Sequence, residues 1–434
     1  MTIAVADALK DSFVIEGGVS LSGRVRASGN KNAALPILAG CLLTEEPVLL
    51  GNVPRIRDVE TMLALLRHLG AEADWVGANE VRVHAAELTT HELDEALCRD
   101  IRASILLAGP LLARGGRAVV PPPGGDVIGR RRIDTHIHAL DALGAGFKIG
   151  HFYELEGELT GTTMFLDEAS VTGTENAVMA AVLASGETVI GNAACEPHVQ
   201  DVCRFLVSLG ARIEGIGTNL LRIEGVRRLA GGTHRICPEH IEVASFICLA
   251  AVTDSEITIE DVSVQDLAAI LPVFARLGVH VETAESSVHV PTGQKLLVLD
   301  DLGGQIPKIE DGVWPAFPSD LTSIAVVLAT QARGTVLVFE KMFENRLFFV
   351  DKLVGMGARI IICDPHRVVV SGPAKLYGQR MESPDFRAGM AMLIASLCAE
   401  GTSMIGNIGQ IDRGYGRIDE RLRALGARIE RVDA

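Results

Sequence analysis

Apolar and polar positions alternate along this chain in a pattern that returns six times. Amphipathic stretches such as DVETMLALLRHLG and RIDERLRALG carry apolar residues at helical spacing and run into a glycine. The terminus recurs as Leu69-Gly70-Ala71, Leu143-Gly144-Ala145, Leu209-Gly210-Ala211, Leu277-Gly278-Val279, Met356-Gly357-Ala358 and Leu425-Gly426-Ala427. A glycine just past the last periodic residue is a helix stop, because it takes the left-handed cap conformation without a Cβ penalty. Alternating segments then follow, for example ARIEGIGTNLLRIEG and ARIIICDPHRVVVSG, which read as strands joined by tight turns.

A second kind of helix recurs with a different pattern. KNAALPILAGCLL, RASILLAGPLLA, TENAVMAAVLASG, EVASFICLAAV, DLTSIAVVLATQ and DFRAGMAMLIASLCA are apolar nearly all round, so each is expected to be buried. Each unit is therefore strand, helix, strand, helix and strands, over a period of about 70 residues, too long for a solenoid of ankyrin or tetratricopeptide size. Six such units divide naturally three and three between two domains. The buried helices open on polar or charged residues: Lys31, Arg102, Glu175, Glu242, Asp320 and Arg387. Glu175 and Glu242 read as plain caps. Lys or Arg at a helix start opposes the helix dipole, and three such violations in equivalent positions imply that these starts face something anionic.

Composition narrows the function. With 434 residues, 48% of them hydrophobic, the chain is long enough for more than one core. A formal net charge of −15 makes it a poor general nucleic-acid binder, so an anion site must be a local gathering of Arg and Lys. No apolar run is long enough to span a bilayer, and the opening MTIAVADALKDSFVIEGG does not read as a signal peptide. None of the eight Cys forms a CxxC pair, which argues against zinc and redox motifs. A cytoplasmic, reducing setting is expected.

The segments SGNKNAALPILAGCLL, PPPGGDVIGRRRIDTHI, WPAFPSD, FENR, SPDFRAG and IDRGYGRIDERLRALGA, in this order from about residue 14 onward, resemble the UDP-N-acetylglucosamine 1-carboxyvinyltransferase branch of the enolpyruvyl transferase family. The shikimate-pathway branch usually opens its first helix Lys-Ser, whereas this chain has Lys31-Asn32. The resemblance implies an α/β fold: a two-domain inside-out α/β barrel of six βαβαββ-like repeats, three per domain. Residues 1–30 and 239–434 would form the catalytic domain, and 31–238 a sugar-nucleotide-binding domain with a mobile lid loop over 121–134. The implied reaction transfers the enolpyruvyl group of phosphoenolpyruvate to the 3-hydroxyl of UDP-N-acetylglucosamine and releases phosphate, the first committed step of peptidoglycan precursor synthesis.

The reaction is addition then elimination, and it needs a base for the hydroxyl, an acid for C3 of phosphoenolpyruvate, and cations for phosphate and carboxylate. By the resemblance, Lys31, Arg131 and Arg413 hold the transferred phosphate, and Arg346 and Arg387 the carboxylate. Arg102 supports the site, and Asn32 orients the acceptor sugar. Asp320 is the expected base. Asp385 and Glu344 would position arginines. Asp134, Ser170 and Val171 match positions that hold the uridine. Asp126 stands where most members would carry Cys, as the expected proton donor on the lid. A carboxylate is a much weaker target for epoxide alkylation than a thiolate, so resistance to fosfomycin follows.

Glu168, Arg132, Thr135 and His240 depart from the family pattern, and the first three keep open transfer to a different uridine nucleotide acceptor in specialised metabolism. A non-catalytic nucleotide-binding paralogue is a third reading, favoured by Asp126 and opposed by Lys31, Asp320, Arg131 and Arg413. No cofactor or metal is implied: there is no GxxxxGK[ST] loop and no strand-linked GxGxxG. His136 and His138, two apart, fit one face of a strand. The expected partners are the two small-molecule substrates, not nucleic acid or membrane. Oligomeric state is not readable.

Overall fold

The structure is a computed structural model describing residues 11–125, 129 and 132–432. Five sheets of four strands and one of three are arranged around helices, one sheet for each repeat. In five of them, the strand that follows a buried helix pairs antiparallel with one arm of a hairpin. Glu256–Glu260 against Ser287–Val290 and Gly334–Phe339 against Arg367–Gly372 are examples. On its other side the same strand takes a parallel partner, Ser22–Arg26 for the first and Lys308–Glu310 for the second. The three-stranded sheet keeps only a trace of that partner, a parallel bridge between Glu92 and Val119. The last repeat is completed by the start of the chain: Ser12–Glu16 lies between Thr402–Gly406 and Arg428–Val432, antiparallel to both.

All six repeat glycines have positive φ, from +85° at Gly278 to +105° at Gly144, Gly210 and Gly357. This backbone is strained for residues with a Cβ, and it turns each outer helix into the strand that follows. The outer helices, Arg57–His68 and Pro197–Ser208 among them, bury one face. The inner helices bury nearly everything: every residue of His240–Val252 except the last is buried. The Arg102 segment differs from a simple helix start. Arg102–Leu107 is a 3-10 turn, and the α-helix begins at Ala108, which leaves Pro110 in its first turn, where a missing N–H costs nothing.

The apolar side chains form two cores. One draws on residues 33 to 236, the other on residues 13 to 27 and 241 to 429. The two passages of chain between them hydrogen-bond to each other, Asn30 N to Cys237 O and Glu239 N to Ser28 O, both at 2.8 Å. Among the described residues, no helix is long and apolar enough to cross a membrane.

Candidate active site

Asp320 sits in the short turn Ser319–Leu321 that leads into the helix Thr322–Gln331. Two guanidinium groups close on it. Arg387, in the first turn of Phe386–Cys398, donates from Nε at 2.9 Å, and its NH2 lies 2.8 Å from the same carboxylate oxygen. Arg346 NH2 donates to the other oxygen. Burial alone would push the Asp320 carboxyl up, but Arg387 and Arg346 outweigh it and hold the group well below the usual carboxylate range. Arg387 is 2% exposed, and its NH1 reaches the hydroxyl of the buried Tyr415 at 3.3 Å. Its backbone N–H and that of Ala388 are capped by Asp385 at 2.8 and 2.9 Å. Asp385 thus places Arg387 by fixing the helix that carries it. The Nε of Arg346 is buried with no hydrogen-bond partner among the described residues, a donor in want of an acceptor.

A second charged group lies where the two cores meet. Lys31 opens the helix Lys31–Gly40, with Asn30 as its cap and half-buried Asn32 beside it. Its Nζ lies 2.7 Å from Asp58 of the outer helix Arg57–His68 and 4.2 Å from the centroid of the Phe386 ring. Arg413, from the other core, donates to both oxygens of Asp58, at 3.0 and 3.3 Å. Arg346, Asp385, Gln410, Arg413 and Gly125 line one cavity of about 210 Å³. It joins Gly125 to both arginine groups, with Arg346 and Arg413 in its wall.

The residues expected to meet the nucleotide are more scattered. Asp134 is exposed at the start of Asp134–Ala142 and pairs with Arg132 Nε at 3.4 Å. Arg132 also meets Asp167, which accepts from Thr135 at 2.7 Å. The hydrogen bond from Thr135, then the Arg132 charge, holds the Asp167 carboxyl below its ordinary range. Ser170 caps the helix that Val171 opens. Arg102 donates to the Arg132 carbonyl at 3.2 Å, so it braces the loop from behind. Exposed Glu344 packs against Gly129. Asp126 and Arg131 lie outside the described residues.

Three expectations are corrected. His136 and His138 lie on a helix, not a strand; His136 is buried and bonded to Thr172 and Asn176, while His138 is exposed. Their polar spacing was read at period two because the flanking helix is short. Glu175 and Glu242 are not caps; Ser170 and Glu239 are. Glu242 instead holds Arg421 through two bonds of 2.8 Å. Burial and the neighbouring Glu196 raise the Glu175 carboxyl.

Sequence reasoning missed Asp58, Gln410, Tyr415, Glu239 and His198. Burial raises the Glu239 carboxyl to about 7, with Arg387 in opposition. His198 and His240 stack at 6.3 Å, and burial lowers them to about 4 and about 3. A signal existed for two of these. Asp58 and His198 each stand twelve residues before their repeat's glycine, Gly70 and Gly210, at the buried start of an outer helix.

With this geometry in view, comparison with known proteins is direct. The family model for EPSP synthase (3-phosphoshikimate 1-carboxyvinyltransferase) matches residues 15–422. The UDP-N-acetylglucosamine 1-carboxyvinyltransferase of Bradyrhizobium diazoefficiens is 57% identical over 97% of this chain and 98% of its own length. Its namesake from Treponema pallidum is 56% identical over 96% and 98%. Among solved structures, the enolpyruvyl transferase NikO from Streptomyces tendae superposes with a TM-score of 0.88 at 24% identity, over 98% of this chain and all of that one. An EPSP synthase from Acinetobacter baumannii gives 0.76 at 18%, over 97% and 100%. The chain belongs to the 1-carboxyvinyltransferase family typified by EPSP synthase, and within it to the UDP-N-acetylglucosamine 1-carboxyvinyltransferases.

Proposed function

We propose that this chain transfers the enolpyruvyl group of phosphoenolpyruvate to the 3-hydroxyl of UDP-N-acetylglucosamine, releasing phosphate and committing the sugar nucleotide to peptidoglycan precursors. The observation that carries the acceptor is the identity above one half with relatives of that name along almost the whole of both chains. Residues 1–30 with 239–434, and 31–238, act as two domains that meet over the substrates, in keeping with the two separate cores. Substrates and products are small molecules, and no cofactor has a role.

The side chains divide by the charge they meet. Lys31 and Arg413, with Arg131 from the lid, bind the phosphate; Arg346 and Arg387 bind the carboxylate. A hydroxyl attacks C2 of phosphoenolpyruvate while a proton reaches C3, giving a tetrahedral ketal phosphate. Loss of a C3 proton and of phosphate then completes the transfer. Asp320 is the base for the hydroxyl. Its two arginines keep it ionised but weakly basic. As a substrate carboxylate draws Arg346 and Arg387 to itself, Asp320 loses counter-charge and gains proton affinity at the moment it is needed. Asn32 orients the acceptor sugar, and Asp134, Ser170 and Val171 receive the uridine with Arg102 behind them. Glu344 and Asp385 hold the arginines in place. Asp126 on the lid delivers the proton to C3.

The test is a panel of acceptors incubated with phosphoenolpyruvate and read by product mass. The account expects UDP-N-acetylglucosamine to gain a carboxyvinyl group. A gain by another uridine nucleotide or by shikimate 3-phosphate, with none by UDP-N-acetylglucosamine, would overturn the acceptor.

A further inference from the structure

Asp58 carries a charged contact between the two cores. It lies in the first turn of an outer helix, with its side chain 5% exposed. Arg413 spends its Nε and NH2 edge on the two Asp58 oxygens, and its NH1 donates to Gln410 at 3.2 Å. Lys31 Nζ reaches the same carboxylate from its own core at 2.7 Å. Two cations brought this close repel each other unless an anion lies between them, and burial strengthens that repulsion. The carboxylate supplies the anion and leaves the trio with a net positive charge.

We propose that Asp58 is a positioning residue for phosphate binding. It fixes the Lys31 ammonium and the Arg413 guanidinium on one side, so that both face one phosphate group, that of phosphoenolpyruvate or of the departing product. Because the Arg413 contact crosses between the cores, bringing the cores together and assembling the cation pair are one event. The proposal rests on the reading of Lys31 and Arg413 as the phosphate ligands. It adds what that reading lacks, a reason why two cations from separate cores converge. The bidentate fork also sets the guanidinium plane, which a lysine at 413 would not do.

The experiment compares wild type, Asp58→Asn and Asp58→Glu by steady-state kinetics with both substrates and by product inhibition with inorganic phosphate. Asp58→Asn is expected to raise the KM for phosphoenolpyruvate and the inhibition constant for phosphate roughly tenfold or more. The KM for UDP-N-acetylglucosamine should stay within about twofold, since the acceptor makes no use of this pair. Asp58→Glu, which keeps the charge, should recover part of the loss. Should Asp58→Asn fail to fold, Asp58→Glu is read alone, and a rise in both phosphate-dependent constants without a rise in the acceptor KM is the expected result. Unchanged phosphate constants in a folded variant would overturn the proposal. So would an equal loss in every parameter, which marks a merely structural residue, or tighter phosphate binding, which marks a competing carboxylate. A wild-type chain that does not turn over phosphoenolpyruvate at all would instead count against the proposed function.

Discussion

Arg387 meets Asp320 with two nitrogens, Nε at 2.9 Å and NH2 at 2.8 Å, both on the same carboxylate oxygen. The expected base is thus held by a residue assigned to the substrate. Asp320→Asn keeps the shape and one acceptor but cannot take a proton. Turnover should fall by about a hundredfold or more, while binding of UDP-N-acetylglucosamine, followed by calorimetry, persists. Unchanged turnover would leave Asp320 as no more than an arginine partner.

Arg413→Ala removes the proposed phosphate ligand and leaves Asp58 paired with Lys31. A lost charge-assisted contact costs about 1.5–3 kcal/mol, or roughly tenfold to a hundredfold in kcat/KM for phosphoenolpyruvate. The melting temperature should fall by less than the loss of a lone buried ion-pair partner would cause, because Lys31 still balances the Asp58 charge. Wild-type kinetics in this variant would remove Arg413 from the site.

Glu239 gives a pH signature. Its carboxyl is raised by burial to about 7, so the folded state disfavours the ionised form. The resulting penalty is absent below the unfolded pKa of about 4.3 and grows as pH rises through the folded value. Glu239→Gln should therefore match wild type near pH 4 and become more stable by up to about 4 kcal/mol by pH 8. Chemical denaturation at several pH values reads this directly. A stability difference that does not change with pH would contradict it.

Much of this architecture was readable in the chain. The repeat glycines marked every outer helix stop, and the all-apolar segments marked every inner helix. Lys31 and Arg387 stood out because a cation at a helix start opposes the helix dipole, and Arg346 and Arg413 because they fall within the motifs FENR and IDRGYG. Asp58 did not, because an acid in the first turn of a helix is favourable, and the periodicity gives no reason to single it out. The completion of the last sheet by Ser12–Glu16 was hidden for another reason: pairing between the two ends of a chain leaves no local trace in hydrophobic spacing. His136 was misplaced because a two-residue interval fits a strand face and gives too little length to show helical period.

Asp126 replaces the thiol expected on the lid, and an ionised or hydrogen-bonded carboxyl is a poor nucleophile toward an epoxide. Wild type incubated with fosfomycin and the acceptor should retain activity and intact mass. Asp126→Cys should keep some activity, since a thiol also donates a proton, and should gain a covalent adduct. An adduct on wild type would refute the resistance. An active Cys variant without an adduct would show that this loop does not reach the phosphoenolpyruvate site.

The central claim is that one cleft joins phosphoenolpyruvate to a uridine sugar nucleotide, and phosphate release measures it most directly. The chain is incubated with phosphoenolpyruvate alone, with UDP-N-acetylglucosamine alone, with both, and with phosphoenolpyruvate plus shikimate 3-phosphate. The account predicts phosphate only where phosphoenolpyruvate and UDP-N-acetylglucosamine are together. Release with shikimate 3-phosphate and none with UDP-N-acetylglucosamine would contradict it.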